Sequence, residues 1–283
     1  MRSLALPDGR STIPALGLGT WRMGESRRSR AAEVAAVRNA IAMGYRLIDT
    51  AEMYGEGGAE EVIGQALAEA LRAGEVRREE LFIVSKVYPH NASREGTLAA
   101  CERSRKRLGL DAIDLYLLHW RGQHPLRDTV AAMHALVEAG HILHWGVSNF
   151  DVDDMQELAG AAPGCAANQV YFSLGQRGAG FELLPWLRQH RMPLMAYSPI
   201  DQGNLAQHAA LTTLAEAQGL SAAQLALAWV LAQPGVVAIP KAVKLEHLRD
   251  NLAAANAVLD ADTMRQLDTL FPPPRRKQAL AMT

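Results

Sequence analysis

Residues 46–55 read RLIDTAEMYG, and the two halves of this stretch obey different rules. Leu47 and Ile48 make a short apolar run, and Asp49 stops it. A strand carries its bulk into a core, whereas its carboxyl end can offer a polar group to solvent or substrate. Tyr54 and Gly55 then open a glycine turn. The same transition recurs twice downstream: LFIVSKVY at 81–88 ends its apolar run at Lys86, and IDLYLLHW at 113–120 ends at His119. An acid, a phenol, an ammonium and an imidazole at the ends of successive strands describe one distributed site, which is how a parallel barrel builds an active site.

Outward from this stretch, short apolar runs alternate with segments of helical period. Strands are expected at 15–18, 47–48, 81–85, 113–118, 144–147, 167–171, 194–197 and 236–239. Helices are expected at 31–43, 59–73, 93–108, 128–139, 151–159, 182–189, 207–218, 221–232 and 246–256. The first carries Val34, Val37 and Ile41 on one face, the third ends in a basic turn followed by Gly109, and Ser221 is placed to cap the eighth. Eight strands alternating with helices argue for an α/β fold, a (β/α)8 TIM barrel, as one domain over residues 1–283. The helical content between the seventh and eighth strands exceeds one unit, so an extra helix is expected there. The opening LALPDGRSTIPA at 4–15 predicts a short β-hairpin under the barrel, turning at Asp8–Gly9. The tail from Phe271 begins FPPPRRK; its prolines stop a helix and leave a surface tail or a partial lid.

Composition narrows the partners. The chain has 283 residues, 49% of them hydrophobic, enough for one large core. A net charge of -1 gives no field for nucleic acid or anionic lipid. Cys101 and Cys165 form no CxxC pair, which fits a reducing compartment. Arg2, Asp8 and Arg10 interrupt any signal-peptide core, and no window reaches a membrane-spanning length. The expectation is a soluble cytoplasmic protein with no nucleic-acid or membrane partner.

The four strand-end residues suggest a chemistry. A phenol, with a reference pKa near 10, donates a proton well only where its anion is stabilised. A lysine ammonium beside Tyr54 supplies that stabilisation, Asp49 holds the lysine in place, and His119 orients a carbonyl oxygen. A carbonyl being protonated there needs electrons, and no side chain donates hydride, so a nicotinamide cofactor is implied. The usual dinucleotide fingerprint is absent: Gly17 and Gly19 make a GxG, but Gly24 is too late for the third glycine. His119 lacks the HxH or HExxH neighbours of a zinc hydrolase, Asp114 stands at the opposite end of its strand from a glycosidase partner, and no GxSxG elbow is present. A lysine aldolase, with Lys86 as Schiff base, is the covalent alternative.

With these residues in view, the chain resembles the aldo-keto reductases over nearly its whole length. The resemblance rests on LGLGTW at 16–21, LIDTAEMYG at 47–55, VSK at 84–86, LYLLHW at 115–120, WGVSNF at 145–150, NQV at 168–170, YSP at 197–199 and IPK at 239–241. The AEMYGEGGAEEVIG segment is similar to the small bacterial members that reduce methylglyoxal and related aldehydes. The resemblance implies NADPH bound across the carboxyl ends of the strands, with Asp49, Tyr54, Lys86 and His119 as catalytic tetrad. It implies Ser148, Asn149 and Gln169 at the nicotinamide amide, Tyr197 on its ring, and Ser198, Leu205 and nearby backbone at the pyrophosphate. Gly19, Thr20, Asp49 and Pro199, within the matching motifs, join this cofactor set. Lys241 matches a residue at the 2′-phosphate, and Asp250 and Asn251 match residues at the adenine end. The pattern departs at Ala242, where serine is usual, and at His247, where many members carry arginine. Imidazole is a weaker and pH-dependent anion partner, so NADH becomes plausible beside NADPH.

Trp21, Trp120 and Phe150 follow three strands and are expected, with Tyr54 and His119, to wall a substrate pocket; Met53 and Tyr88 are further candidates. Short loops imply an open site for small aldehydes, dicarbonyls and some larger hydrophobic aldehydes. The resemblance also admits a cofactor-binding regulatory subunit with marginal turnover, and it makes a monomer the expected state.

Overall fold

The computed structural model describes residues 2–282. It begins with the expected hairpin: β1 (Ser3–Ala5) pairs antiparallel with β2 (Thr12–Pro14). Asp8 ties the turn by accepting the backbone N–H groups of Arg10 and Ser11 at 3.0 and 2.9 Å. Leu6 and Ile13 from this hairpin pack with Leu47, Phe82 and Leu115, so the hairpin plugs the amino-terminal mouth of the barrel with apolar side chains.

Eight parallel strands follow: β3 (Gly17–Gly19), β4 (Leu47–Asp49), β5 (Phe82–Val87), β6 (Ile113–Leu118), β7 (Ile142–Ser148), β8 (Cys165–Tyr171), β9 (Leu194–Tyr197) and β10 (Val236–Ala238). Each pairs with the next in chain order. Parallel bridges Leu16↔Ala238 and Gly19↔Lys241 close the circle. Glycine is required at that seam: a Cβ on Gly19 would lie 2.6 Å from the Ile239 carbonyl oxygen.

Helices α1 (Arg30–Ala42), α2 (Gly58–Arg72), α3 (Arg94–Leu108), α4 (Leu126–Glu138), α5 (Val152–Ala161) and α6 (Leu183–Gln189) each cover one crossover. The expected extra helix is present, since α7 (Ala209–Ala217) and α8 (Ala222–Ala232) both lie between β9 and β10. Ser221 caps α8, its Oγ accepting the Gln224 N–H at 3.2 Å. After α9 (Leu245–Asn256) comes a helix the sequence reading omits, α10 (Ala261–Leu270), capped by Asp260. The expected first strand, 15–18, also moves: regular pairing starts at Gly17, because Ala15 and Leu16 only bridge to β10.

Side-chain parity sets what each strand offers. Leu47 on β4, Phe82 and Val84 on β5 and Leu115 and Leu117 on β6 share the barrel interior. Ile48, Ile83 and Tyr116 belong to the layer between sheet and helices. With a period of two, Asp49, Lys86 and His119 continue the inward rows.

Candidate active site

Each member of the predicted tetrad arrives by a different local route. Asp49 ends β4, Lys86 is the fifth residue of β5 and His119 follows β6 directly. Tyr54 opens a short 3-10 turn (Tyr54–Gly57) in which Gly55 and Gly57 take left-handed φ values of 58° and 91°. The loop after β3 crosses that turn so closely that a Cβ on Gly24 would sit 2.1 Å from the Gly58 carbonyl carbon. Gly24, too late for a dinucleotide fingerprint, therefore serves packing around the Tyr54 turn.

The four groups meet. Lys86 Nζ donates to Asp49 Oδ2 at 2.7 Å and to the Thr50 carbonyl at 2.8 Å, and it lies 3.4 Å from the Tyr54 hydroxyl. The lysine is fully buried and Asp49 nearly so. The second carboxylate oxygen accepts the Gln169 amide at 2.7 Å. Gln169, expected only as a cofactor ligand, is thus also an anchor of the acid. The His119 ring meets the Tyr54 ring edge-on at 5.8 Å, and its Nδ1 is buried without a hydrogen-bond partner among the described residues.

Burial dominates the electrostatics. It pushes the Asp49 carboxyl up and the Lys86 ammonium down, while the charge of each opposes the shift of the other. Burial of its hydroxyl raises the Tyr54 phenol well above its ordinary value, and the Asp49 charge adds to the rise. The phenol is therefore fully protonated at neutral pH. Burial, and then the Lys86 charge, holds His119 well below the usual imidazole range, which keeps the ring neutral.

A cavity of about 350 Å³ opens above these groups. Tyr54, His119 and Asp49 are at its floor, which Lys86 completes from beneath, buried against Asp49 and Tyr54. Trp21, Met53 and Trp120 line one part, and Ser148, Asn149, Gln169 and Tyr197 another. Gly19, Thr20, Ser198, Pro199 and Lys241 complete the predicted residues that reach it. Asn149 is held from three directions: its amide donates to the His119 carbonyl at 3.1 Å and to Ser148 Oγ at 3.2 Å, and its oxygen accepts the Tyr197 hydroxyl at 2.9 Å.

Other predicted residues do not reach the cavity. Phe150 is a correction: it is fully buried in the layer between sheet and helices, where its carbonyl accepts the Asn168 amide at 2.8 Å. Two residues past Ser148 it would face inward by strand alternation, but the left-handed backbone at Asn149 (φ 60°) breaks that alternation, so an aromatic after a strand is not a wall by position alone. Tyr88 stands behind Trp120, ring centroids 5.2 Å apart, without lining the cavity. Leu205 is buried below the loop after β9, and His247, Asp250 and Asn251 lie on α9, away from the lining.

The cavity also gathers residues the sequence reading missed: Arg22, Ile200, Gln202, Gly203, Pro240 and Met282. Arg22 stacks over Trp21 at 4.4 Å and directly follows a quoted motif, so adjacency was an available signal. Arg22, Asn149, Ser198 and Gln202 are non-glycine residues with positive φ that line this cavity. Backbone strain of this kind gathers at ligand sites, but no sequence pattern announces it. Met282 arrives because the tail is a strap. Arg177 bonds the Phe271 carbonyl, and Lys277 pairs with Asp153 at 3.1 Å and Glu182 at 3.6 Å. The tail is an exposed surface strap, as one expectation had it, and its Met282 reaches the rim of the cavity.

A closed parallel barrel with an Asp–Lys–Tyr–His floor defines a class, and the whole sequence agrees. Residues 15–271 match the aldo/keto reductase family, and the chain belongs to it. It is similar to a methylglyoxal reductase, YeaE, of Escherichia coli K12, at 47% identity over 97% of both chains. A glyoxal reductase of Bacillus subtilis is 38% identical, with 91% of this chain and 89% of that one aligned. Among solved structures, an aldo-keto reductase from Klebsiella pneumoniae in complex with NADPH shares 48% identity and a TM-score of 0.93, covering 100% of this chain and 99% of that one.

Proposed function

We propose that the protein is an NADPH-dependent reductase of small aldehydes and dicarbonyls such as methylglyoxal and glyoxal, acting as a single-domain monomer. The observation that carries this reading is the buried Lys86 ammonium, held between Asp49 and Thr50 and 3.4 Å from a Tyr54 hydroxyl that faces an open cavity.

The residues around the cavity fit the cofactor. Ser148, Asn149 and Gln169 present amide and hydroxyl groups, Tyr197 presents a ring, and Lys241 is a cation at the far rim. Ser198, Pro199 and Leu205 belong with the pyrophosphate in this reading, and His247, Asp250 and Asn251 with the adenosine end. NADPH supplies the hydride when bound. Tyr54 supplies the proton from its hydroxyl oxygen to the carbonyl oxygen of the substrate. Its raised pKa keeps it protonated until negative charge develops on that oxygen, and Lys86 then stabilises the phenolate left behind. Asp49, itself fixed by Gln169, keeps the ammonium in place. His119, neutral, offers a hydrogen bond that orients the carbonyl. Trp21, Met53, Trp120 and Met282 give a substrate apolar walls and limit its bulk.

The test is purified protein with NADPH or NADH and a panel of methylglyoxal, glyoxal, 4-nitrobenzaldehyde, a ketone and a sugar, followed by loss of reduced-cofactor absorbance. Turnover of the dicarbonyls with NADPH is expected, with slower turnover on NADH because Lys241 then has no 2′-phosphate to meet, and with His247 in place of arginine narrowing that gap. No turnover of any aldehyde defeats the reading.

A further inference from the structure

Glu52 is a buried carboxylate that the mechanism above does not use. It stands two residues before Tyr54 on the same turn and does not line the cavity. Its Oε1 accepts the Tyr88 backbone N–H at 2.8 Å and the Asn91 side-chain amide at 3.0 Å. Its Oε2 meets Arg103 at 3.3 Å. Its own N–H donates to the Lys86 carbonyl at 3.3 Å. One side chain thus fastens the turn carrying Tyr54 to the loop that follows the Lys86 strand.

That loop leads back to the site through a chain of rings. Tyr88 meets Trp120 edge-on at 5.2 Å, Trp120 tilts against His119 at 4.8 Å, and His119 meets Tyr54 edge-on at 5.8 Å. The circuit from Glu52 through Tyr88, Trp120 and His119 closes on Tyr54. Trp120 and His119 are the members that line the cavity, and Tyr88 is the support behind them. The Arg103 side chain is 45% exposed, so its ion pair is screened and contributes little. The bonds to the Tyr88 loop are where the carboxylate acts.

We propose that Glu52 is a positioning residue: by holding the Tyr88 loop it sets the Trp120–His119 wall against Tyr54, and so sets affinity for the carbonyl substrate. The inference rests on the reductase reading. Aromatic walls hold their geometry through backing contacts, and a loop amide left without its acceptor loses a buried hydrogen bond.

The experiment compares Glu52→Ala, Glu52→Gln and Arg103→Ala with wild type. Glu52→Ala is expected to raise KM for methylglyoxal about tenfold, while kcat falls by less than about threefold. The NADPH Kd stays as in wild type. Glu52→Gln keeps an oxygen acceptor for Tyr88 and Asn91 and restores KM to within about twofold. Arg103→Ala leaves KM unchanged. The Trp120 indole N–H resonance, assigned with Trp120→Phe, shifts or broadens in Glu52→Ala alone. This readout needs no turnover, so a silent wild-type enzyme defeats the reductase reading and an unmoved indole defeats this one. A Glu52→Ala protein with native KM and only a lower Tm, or an Arg103→Ala protein with the same KM rise, overturns the proposal. If Glu52→Ala does not fold, Tyr88→Leu carries the test, since it removes the ring behind Trp120 and keeps the Glu52 bonds. A native KM and an unmoved indole in that variant overturn the proposal equally.

Discussion

Lys86 and Ser85 are neighbours on β5, and each meets a buried carboxylate, yet the two clusters do different work. Lys86 points into the barrel and pairs with Asp49 at 2.7 Å. Ser85 points outward and donates to Glu60 on α2 at 2.6 Å, and Glu60 pairs with Arg107 on α3 at 2.9 Å. Both carboxylates are nearly or wholly buried, and both are paired and hydrogen-bonded. The difference lies in what stands beyond the pair. The inward pair ends at a phenol and an open cavity. The outward pair ends between two helices, where Arg107 packs so tightly on Gly57 that a Cβ there would lie 2.4 Å from its Nε. A buried ion pair is therefore no mark of a site by itself; the strand face decides.

The comparison breaks most easily at the proton donor. Tyr54→Phe should lower kcat by about 10²–10⁴-fold with the NADPH Kd unchanged, as removal of a general acid does. Fluorescence titration and steady-state kinetics measure both. Full retention of kcat would move the donor elsewhere, and the inward pair would then be no more functional than the outward one.

Next come the cations themselves. Lys86→Met leaves Asp49 buried and unpaired, an expected loss of about 3–5 kcal/mol in urea unfolding, together with most of kcat. Arg107→Met should lose less stability, because a quarter of its side chain already meets water, and should retain kcat within severalfold. Equal kinetic damage from both would erase the distinction. In Lys86→Met only the upward push of burial and the hydrogen bond from Gln169 remain on Asp49, so its folded pKa stands above its unfolded value. Below the unfolded value the penalty is absent; it grows as pH rises through and above that range, and the stability gap from wild type should narrow in acid.

A smaller effect is expected at the far rim. Lys241→Ala should raise KM for NADPH about tenfold, the scale of one charge-assisted hydrogen bond, and leave KM for NADH unchanged. Equal changes for both cofactors would remove Lys241 from the 2′-phosphate.

The smallest signal concerns His119. Its folded pKa lies well below the ordinary 6.5, through burial first and the Lys86 charge second. kcat/KM should therefore show no His119 inflection near 6.5. Below the unfolded value the unfolded chain binds the extra proton, so stability should fall as pH falls there and be level above it. An imidazole titrating near 6.5 by NMR would show that neither burial nor the Lys86 charge holds His119 down.

The sequence by itself determined the alternation of eight strands with helices, the opening hairpin, the extra helix before β10 and the four residues of the floor. It could do so because strand ends and glycine turns are written in the local order of residues, and because the motifs that carry the family are short and contiguous. It could not tell Phe150 from Trp120. Both are aromatics just past a strand, where alternation no longer holds: a left-handed backbone at Asn149 turns Phe150 away from the cavity, and only the folded loops decide which ring faces it. It did not find Arg22, Gln202 or Met282, which come to the cavity through strained loops and a strap tied down by Lys277, contacts between residues far apart in the chain. It placed Lys86 beside Asp49 but gave no direction for the Tyr54 pKa, since desolvation depends on everything packed around a hydroxyl. Tertiary structure decided these matters because burial and facing are properties of the closed barrel, while the residues that can do chemistry are properties of the strand that carries them.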